Sequence, residues 1–245
     1  MTYCVAMALN QGLVFAADSR TSAGVDHIST YRKLRLWQRP GERVLVMLSA
    51  GNLAITQAVA AILERGIRAE TPAHSLMAAD SMYSAARMVG AAVREIHRDD
   101  AEHLRETGVE FNVSLILGGQ IKGEAPRLFM IYAAGNFIEA TAETPYFQIG
   151  ETKYGKPIID RVVNVETDLI RAAKCALLSL DSTIRSNMTV GLPIDLALYR
   201  RDALRLGTHQ IIREEDPYFN DLHQRWGKGL NDLFQVIPDP PWVLD

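Results

Sequence analysis

A threonine at position 2, an aspartate at 18, a lysine at 33 and a glycine at 51 supply between them the parts of an acyl-transfer site. A threonine hydroxyl attacks a carbonyl only when a base takes its proton. Once Met1 is removed that base is at hand, because a free α-amino group has a pKa near ~8 and sits on the same residue. A protonated Lys33 would lower the hydroxyl's pKa electrostatically, and Asp18 would orient and neutralise the lysine. The backbone N–H of Gly51 would hold the tetrahedral oxyanion, an effect worth about 3 to 4 kcal/mol per donor. Singly, each residue has an ordinary reading. The second residue of a chain is often frayed, charges on strands usually face water, and a glycine ahead of a helix is usually a turn. The chemistry requires a fold that brings all four together.

Residues 3–9 and 13–17 are apolar and rich in strand formers, and Asn10, Gln11 and Gly12 between them read as the turn of a β-hairpin. With a three-residue loop Leu9 faces Leu13, which sets Thr2 opposite Arg20 and makes Asp18 a diagonal neighbour at roughly 7 to 8 Å. A second hairpin follows. Residues 33–37 alternate, Arg39-Pro40-Gly41-Glu42 has proline and glycine in the order of a type II turn, and 43–48 is a compact strand. Pairing Arg39 with Glu42 sets Lys33 opposite Leu48, on the strand that runs into Ser49-Ala50-Gly51. A helix starting near Asn52 would present free N–H groups and the positive end of its dipole there.

Beyond Gly51 the period lengthens. Ile55, Val59 and Ile62 mark a helix that stops at Gly66, and Met82, Ala86, Val89, Val93 and Ile96 form the stripe of a longer one over 75–103. Both are expected on one face of a sheet. Strand signals return at 111–117 and 127–133, joined by a loop opening with Gly118-Gly119, and a shorter strand ends at Ile149-Gly150. Leu169, Ala173, Leu177, Leu180 and Ile184 give another helix, and 190–199 reads as a strand interrupted by Pro193. This order predicts an α+β fold, two packed sheets flanked by helices in a four-layer αββα sandwich. One domain over 1–245 is expected, with 216–245 as a C-terminal arm. Its Tyr218, Phe219, Trp226, Phe234 and Trp242 need a surface to pack on, either their own domain or a neighbouring subunit.

Composition excludes several other classes. The 245 residues are 48% hydrophobic and 22% charged, enough to bury a full core. A formal net charge of -3 leaves no basic field for a polyanion, so nucleic acid is not an expected partner. Cys4 and Cys175 have neither disulfide-framework nor zinc-site spacing, and a reducing cytoplasm fits them. No window reaches the roughly 20 apolar residues of a membrane span, and no leader pattern opens the chain. His97 and His103 do not share a helix face, Asp26-His27 reads as a loop lining a cleft or facing solvent, and no cofactor is expected.

The stretches GLVFAADSRTSAG, YRKL and LSAGNLA resemble the proteasome β-subunit family of N-terminal nucleophile hydrolases, most of all its bacterial ancestral β-subunit branch, Anbu. The likeness is strongest over 2–60 and continues through Ile149-Gly150-Glu151 and the LSLDSTIRSNMTVG segment. It implies the αββα fold, Thr2 as nucleophile, Asp18 and Lys33 as its charged partners and Gly51 as oxyanion donor. It further implies that Asp181 with Ser182 or Ser186 steadies the terminal amine. Where the family commonly has a serine, Glu151 stands here, able to bind the terminal ammonium or to depress activity. The expected function is a threonine endopeptidase acting on peptides or unfolded proteins inside a self-compartmentalised homo-oligomer, matured by loss of Met1, any ATPase partner being left open. The same constellation attacks other acyl carbons, so an amidohydrolase on a small amide and a catalytically silent assembly protein are the alternatives.

Overall fold

The structure, a computed structural model, describes residues 1–22, 28–69 and 75–242. In chain order the elements are β1 (Tyr3–Leu9), β2 (Gly12–Asp18), β3 (Arg20–Ser22), β4 (Ile28–Thr30), β5 (Leu34–Arg39), β6 (Arg43–Gly51), α1 (Leu53–Arg68) and, after a 3-10 turn at Leu76–Ala78, α2 (Met82–Glu106). There follow β7 (Val113–Ile121), β8 (Arg127–Ile131), β9 (Phe137–Glu139), β10 (Tyr146–Gly150), α3 (Thr152–Val162), α4 (Leu169–Ser186), β11 (Ile194–Arg200), β12 (Thr208–Ile212) and α5 (Pro217–Val236). One sheet runs β10-β1-β2-β11-β12 and the other β5-β6-β7-β8-β9, with β3-β4 a separate ribbon.

Three apolar clusters make this the expected four-layer αββα sandwich. Val5, Met7, Leu196 and Leu198 of the first sheet pack on Ile159, Ala176 and Leu180 of α3 and α4. Leu45, Met47, Leu115 and Leu117 of the second pack on Ile55, Val59, Val89 and Val93 of α1 and α2. Between the sheets lie Phe15, Leu48, Ile116 and Tyr199. Strands covered on both faces lose the apolar–polar alternation, which is why β1 and β2 read as unbroken hydrophobic runs.

Several sequence expectations shift. The first hairpin turns on Asn10 and Gln11 alone, so Leu9 pairs with Gly12 and Cys4 with Ala17. One step further Tyr3 faces Asp18, and Thr2 stands opposite Ser19 rather than Arg20. Gly12 belongs to the strand because the Tyr199 carbonyl of β11 occupies the space of a Cβ there. In the second hairpin the Pro40-Gly41 turn forms, with φ 80° at Gly41 and Glu42 N–H donating to Arg39 C=O at 2.9 Å. Yet Arg39 pairs with Arg43, so Lys33 faces Ser49 rather than Leu48, and Ser49 N–H donates to Lys33 C=O at 3.1 Å.

Gly118 and Gly119 are interior residues of β7, not a loop. A Cβ at Gly118 would stand 2.7 Å from Phe15 Cζ of the facing sheet, so the glycine makes room for a ring. The helix expected over 75–103 starts at Met82, capped by Ser81, whose hydroxyl accepts from Ser84 N–H. Pro193 precedes β11 instead of interrupting it. The C-terminal segment is largely the helix α5, with Phe219 and Leu222 buried and Phe234 and Trp242 exposed.

Candidate active site

Asp18 ends β2 and Lys33 precedes β5, so the two sheets each deliver one member of a buried ion pair. Lys33 Nζ donates to Asp18 Oδ1 at 2.6 Å and to the Arg20 carbonyl at 2.6 Å. Tyr3 N–H reaches Asp18 Oδ1 at 3.0 Å and Gly191 N–H reaches Oδ2 at 3.3 Å. Asp18 is fully buried and Lys33 nearly so. Burial raises the Asp18 pKa, and Lys33 with the two amide donors pulls against it. Cys4, beside this pair, donates its thiol to the Ser49 carbonyl, and burial pushes its pKa up, so it is no competing nucleophile.

Thr2 is held by its backbone. Its carbonyl accepts Glu151 N–H at 2.7 Å, and Tyr3 pairs with Gly150. Gly150 has φ 84° and a Cβ there would fall on the Thr2 carbonyl, so only glycine lets β10 approach this closely. The terminal amine, on Met1, has a pKa below its ordinary value because it is desolvated and because Lys33 is near, while Asp18 and Glu151 act the other way.

Gly51 closes β6 at φ 109°, with the Asn112 carbonyl where its side chain would be. Asn52 caps α1, its Oδ1 accepting Ala54 N–H at 2.9 Å, so the helix begins at the cleft wall as expected. Thr2, Lys33, Gly51 and Glu151 all line one cleft of about 610 Å³, together with Thr21 and Tyr31. The Thr21 hydroxyl is buried and has no partner among the described residues.

Asp181 and Ser182 are not brought to this cleft. They lie on α4 and line a second cleft of about 560 Å³ against α5, where Asp181 Oδ1 meets His223 Nδ1 at 2.6 Å beside Trp226. Ser186 lines that same second cleft. What reaches the Asp18 site from this part of the chain is the segment after α4. Gly191 N–H binds Asp18, and the Met188 carbonyl accepts Arg20 Nη1 at 2.9 Å. The signal for it is a glycine just ahead of a strand whose first residue, Ile194, pairs with Asp18. His97 packs edge-on against Phe111, away from the cleft, and Asp26-His27 lie outside the described residues.

A family model described as "Proteasome subunit" matches residues 2–198. Among solved structures, Anbu from Hyphomicrobium sp. strain MC1 is 52% identical with a TM-score of 0.91, over 98% of this chain and 100% of that one. Anbu (ancestral β-subunit) from Yersinia bercovieri is 53% identical with a TM-score of 0.91, over 99% of this chain and 100% of that one. Anbu from Pseudomonas aeruginosa, in a helical assembly, is 48% identical with a TM-score of 0.93, over 98% of each chain. No match is found among curated proteins.

Proposed function

Since the chain belongs to the proteasome subunit family, within its Anbu branch, we propose that it is a threonine-type N-terminal nucleophile hydrolase that cleaves peptide bonds. The observation that carries this reading is the buried Lys33–Asp18 pair at 2.6 Å on the wall of the cleft that holds Thr2. Removal of Met1 moves the free amine onto Thr2. That amine takes the proton of Oγ1, the oxygen bonds to the scissile carbonyl carbon, and the carbonyl electrons move onto oxygen, which Gly51 N–H stabilises. The amine then protonates the leaving nitrogen as the C–N bond breaks, leaving an ester on Thr2. Water, deprotonated by the same amine, hydrolyses that ester. The Lys33 ammonium lowers the cost of the developing alkoxide, and Asp18 fixes the ammonium in place.

A peptidase with an open cleft would degrade its surroundings unless its nucleophile faced an interior. The helical assembly of the Pseudomonas aeruginosa relative supports a homo-oligomer here too, and the apolar side chains exposed on α5, Leu230, Leu233 and Phe234 among them, supply a surface for subunit contacts.

Intact-mass analysis reads whether Met1 is lost, and hydrolysis of fluorogenic peptides is compared with that of small amides for wild type and Thr2→Ala. The expected result is processed wild type that cleaves peptides, and a variant at least about a thousandfold slower in an assembly of unchanged size. Wild-type turnover in Thr2→Ala refutes the nucleophile. Cleavage of small amides alone moves the substrate class.

A further inference from the structure

A second buried carboxylate, which the chemistry above does not use, contacts the residues next to Asp18 and Lys33. Asp195 of β11 is 1% exposed. It accepts Arg32 Nε at 3.2 Å and also Arg32 Nη2, meets His209 Nε2 of β12 at 3.0 Å, and takes the Ser19 hydroxyl at 3.5 Å. Its strand neighbours on the same face, Ala197 and Tyr199, are part of the apolar layer between the sheets. Packing alone asks for an apolar residue at 195. A buried ion pair is no better for stability than a well-packed hydrophobic group, so the charge calls for another reason.

The partners supply one. Ser19 directly follows Asp18, and Arg32 directly precedes Lys33. Asp18 ends a strand of one sheet, and Lys33 leads into a strand of the other, so no ladder hydrogen bonds join β2 to β5. Besides the Lys33 contacts themselves, the two segments are joined by the short β3–β4 ribbon, which pairs Arg20 with Thr30, and by Tyr31 N–H donating to the Ser19 carbonyl at 2.8 Å. Asp195 grips both from below, one oxygen on Ser19 and both on the Arg32 guanidinium. Such a fork has a fixed geometry, which a single point charge would not give.

We infer that Asp195, through Arg32 and Ser19, is a positioning residue that sets the separation of Lys33 and Asp18. The inference rests on the proposed hydrolase reading for its kinetic consequence but not for its structural one. Asp195 touches no substrate. Its loss would let the 31–33 segment drift relative to 18–20, and misplacement by about 1 Å costs on the order of a hundredfold in rate.

The test uses Asp195→Leu, Arg32→Ala and Asp195→Asn in the assembled, processed protein. Asp195→Leu satisfies packing, while Arg32→Ala strips a buried carboxylate of its guanidinium and is expected to cost stability, so melting temperature is read beside rate. Expected for both is a kcat lower by about a hundredfold with KM within about twofold, the melting temperature holding in Asp195→Leu and falling in Arg32→Ala, and the double variant no slower than either single. Asp195→Asn, which still accepts from Arg32, should recover most of the rate. Full activity in Asp195→Leu and Arg32→Ala overturns the inference, as does a rate loss in Asp195→Leu that follows its melting temperature. Crystal structures of the variants test the same point independently of turnover. The Lys33 Nζ to Asp18 distance, 2.6 Å here, should open beyond hydrogen-bonding range, and an unmoved pair overturns the inference. A wild type with no turnover and an unreactive Thr2 would sink the hydrolase reading, and that distance would still decide the role of Asp195.

Discussion

Two carboxylates in this molecule meet a basic side chain at the same distance in different surroundings. Lys33 and Asp18 meet at 2.6 Å with 5% and 0% of their side chains exposed, while His223 and Asp181 meet at 2.6 Å with the histidine 47% exposed. The first pair is tied to four chain segments, through Tyr3 N–H, Gly191 N–H, the Arg20 carbonyl and the Lys33 backbone's own bond to Ser49. The second is a single contact between α4 and α5. Distance therefore says little about what a pair does. Burial and the number of independent anchors separate a charge held for chemistry from a clasp between two helices.

The widest contrast comes from removing one partner of each. Lys33→Ala or Asp18→Ala leaves an uncompensated buried charge, so a loss of about 3 to 5 kcal/mol is expected along with a fall in turnover of at least about a thousandfold. The double variant should be scarcely worse than either single. Additive losses, measured by peptide hydrolysis and denaturant titration, would break the comparison by making the pair two independent surface charges. A smaller effect, on pH dependence, sharpens it. With Met1 in place, desolvation and Lys33 lower the pKa of the Met1 amine, and Asp18 and Glu151 act the other way. Activity needs the neutral Thr2 amine, and Glu151→Gln removes a negative charge from the cleft that holds it, so the acidic limb of kcat/KM should move to lower pH. A limb that moves upward would reverse the sign given to Glu151. The smallest effect is expected at the other pair. His223→Ala should cost at most about 1 kcal/mol and leave turnover intact, because a half-exposed partner is replaced by water. A loss as large as that of Lys33→Ala would erase the distinction.

Much of this site is legible in the sequence. Thr2, Asp18, Lys33 and Gly51 flank two hairpins and a helix start, and local patterns of that kind survive folding. The αββα layering is legible too, from the order of periods. Register is not. Both hairpins pair one residue away from expectation because a glycine or glutamate beside a turn belongs equally well to loop or strand, and the neighbouring strand decides. Gly12 is in β2 because Tyr199 of β11 lies against it, a contact 187 residues away along the chain. Gly118 and Gly119 mislead for the same reason, since glycine marks both a loop and a close approach.

Asp181 and Ser182 lie on α4, one helix end short of the segment that reaches Asp18. α4 runs on to Ser186 and is capped only at Asn187, so the residues that reach Asp18 come later, at 188–191. In the C-terminal segment the prolines at 238, 240 and 241 obscure a helical spacing already present at Phe219, Leu222 and Trp226. Asp195 stays hidden because nothing in sequence distinguishes a charge that faces water from one that faces the space between two sheets.

The ring of Phe15 lies where Gly118 lacks a side chain, so one sheet carries a peg and the other a socket. Phe15 is on the strand that ends in Asp18. Gly118 is on the strand next to β6, which in turn carries β5 and, just before it, Lys33. Sliding one sheet over the other by a single residue, about 3.3 Å, would part the ion pair. The peg blocks that slide by simple obstruction. Shear of one sheet over the other is thereby borne by an interlock of carbon atoms rather than by the charges, and Lys33 and Asp18 keep their spacing under strain.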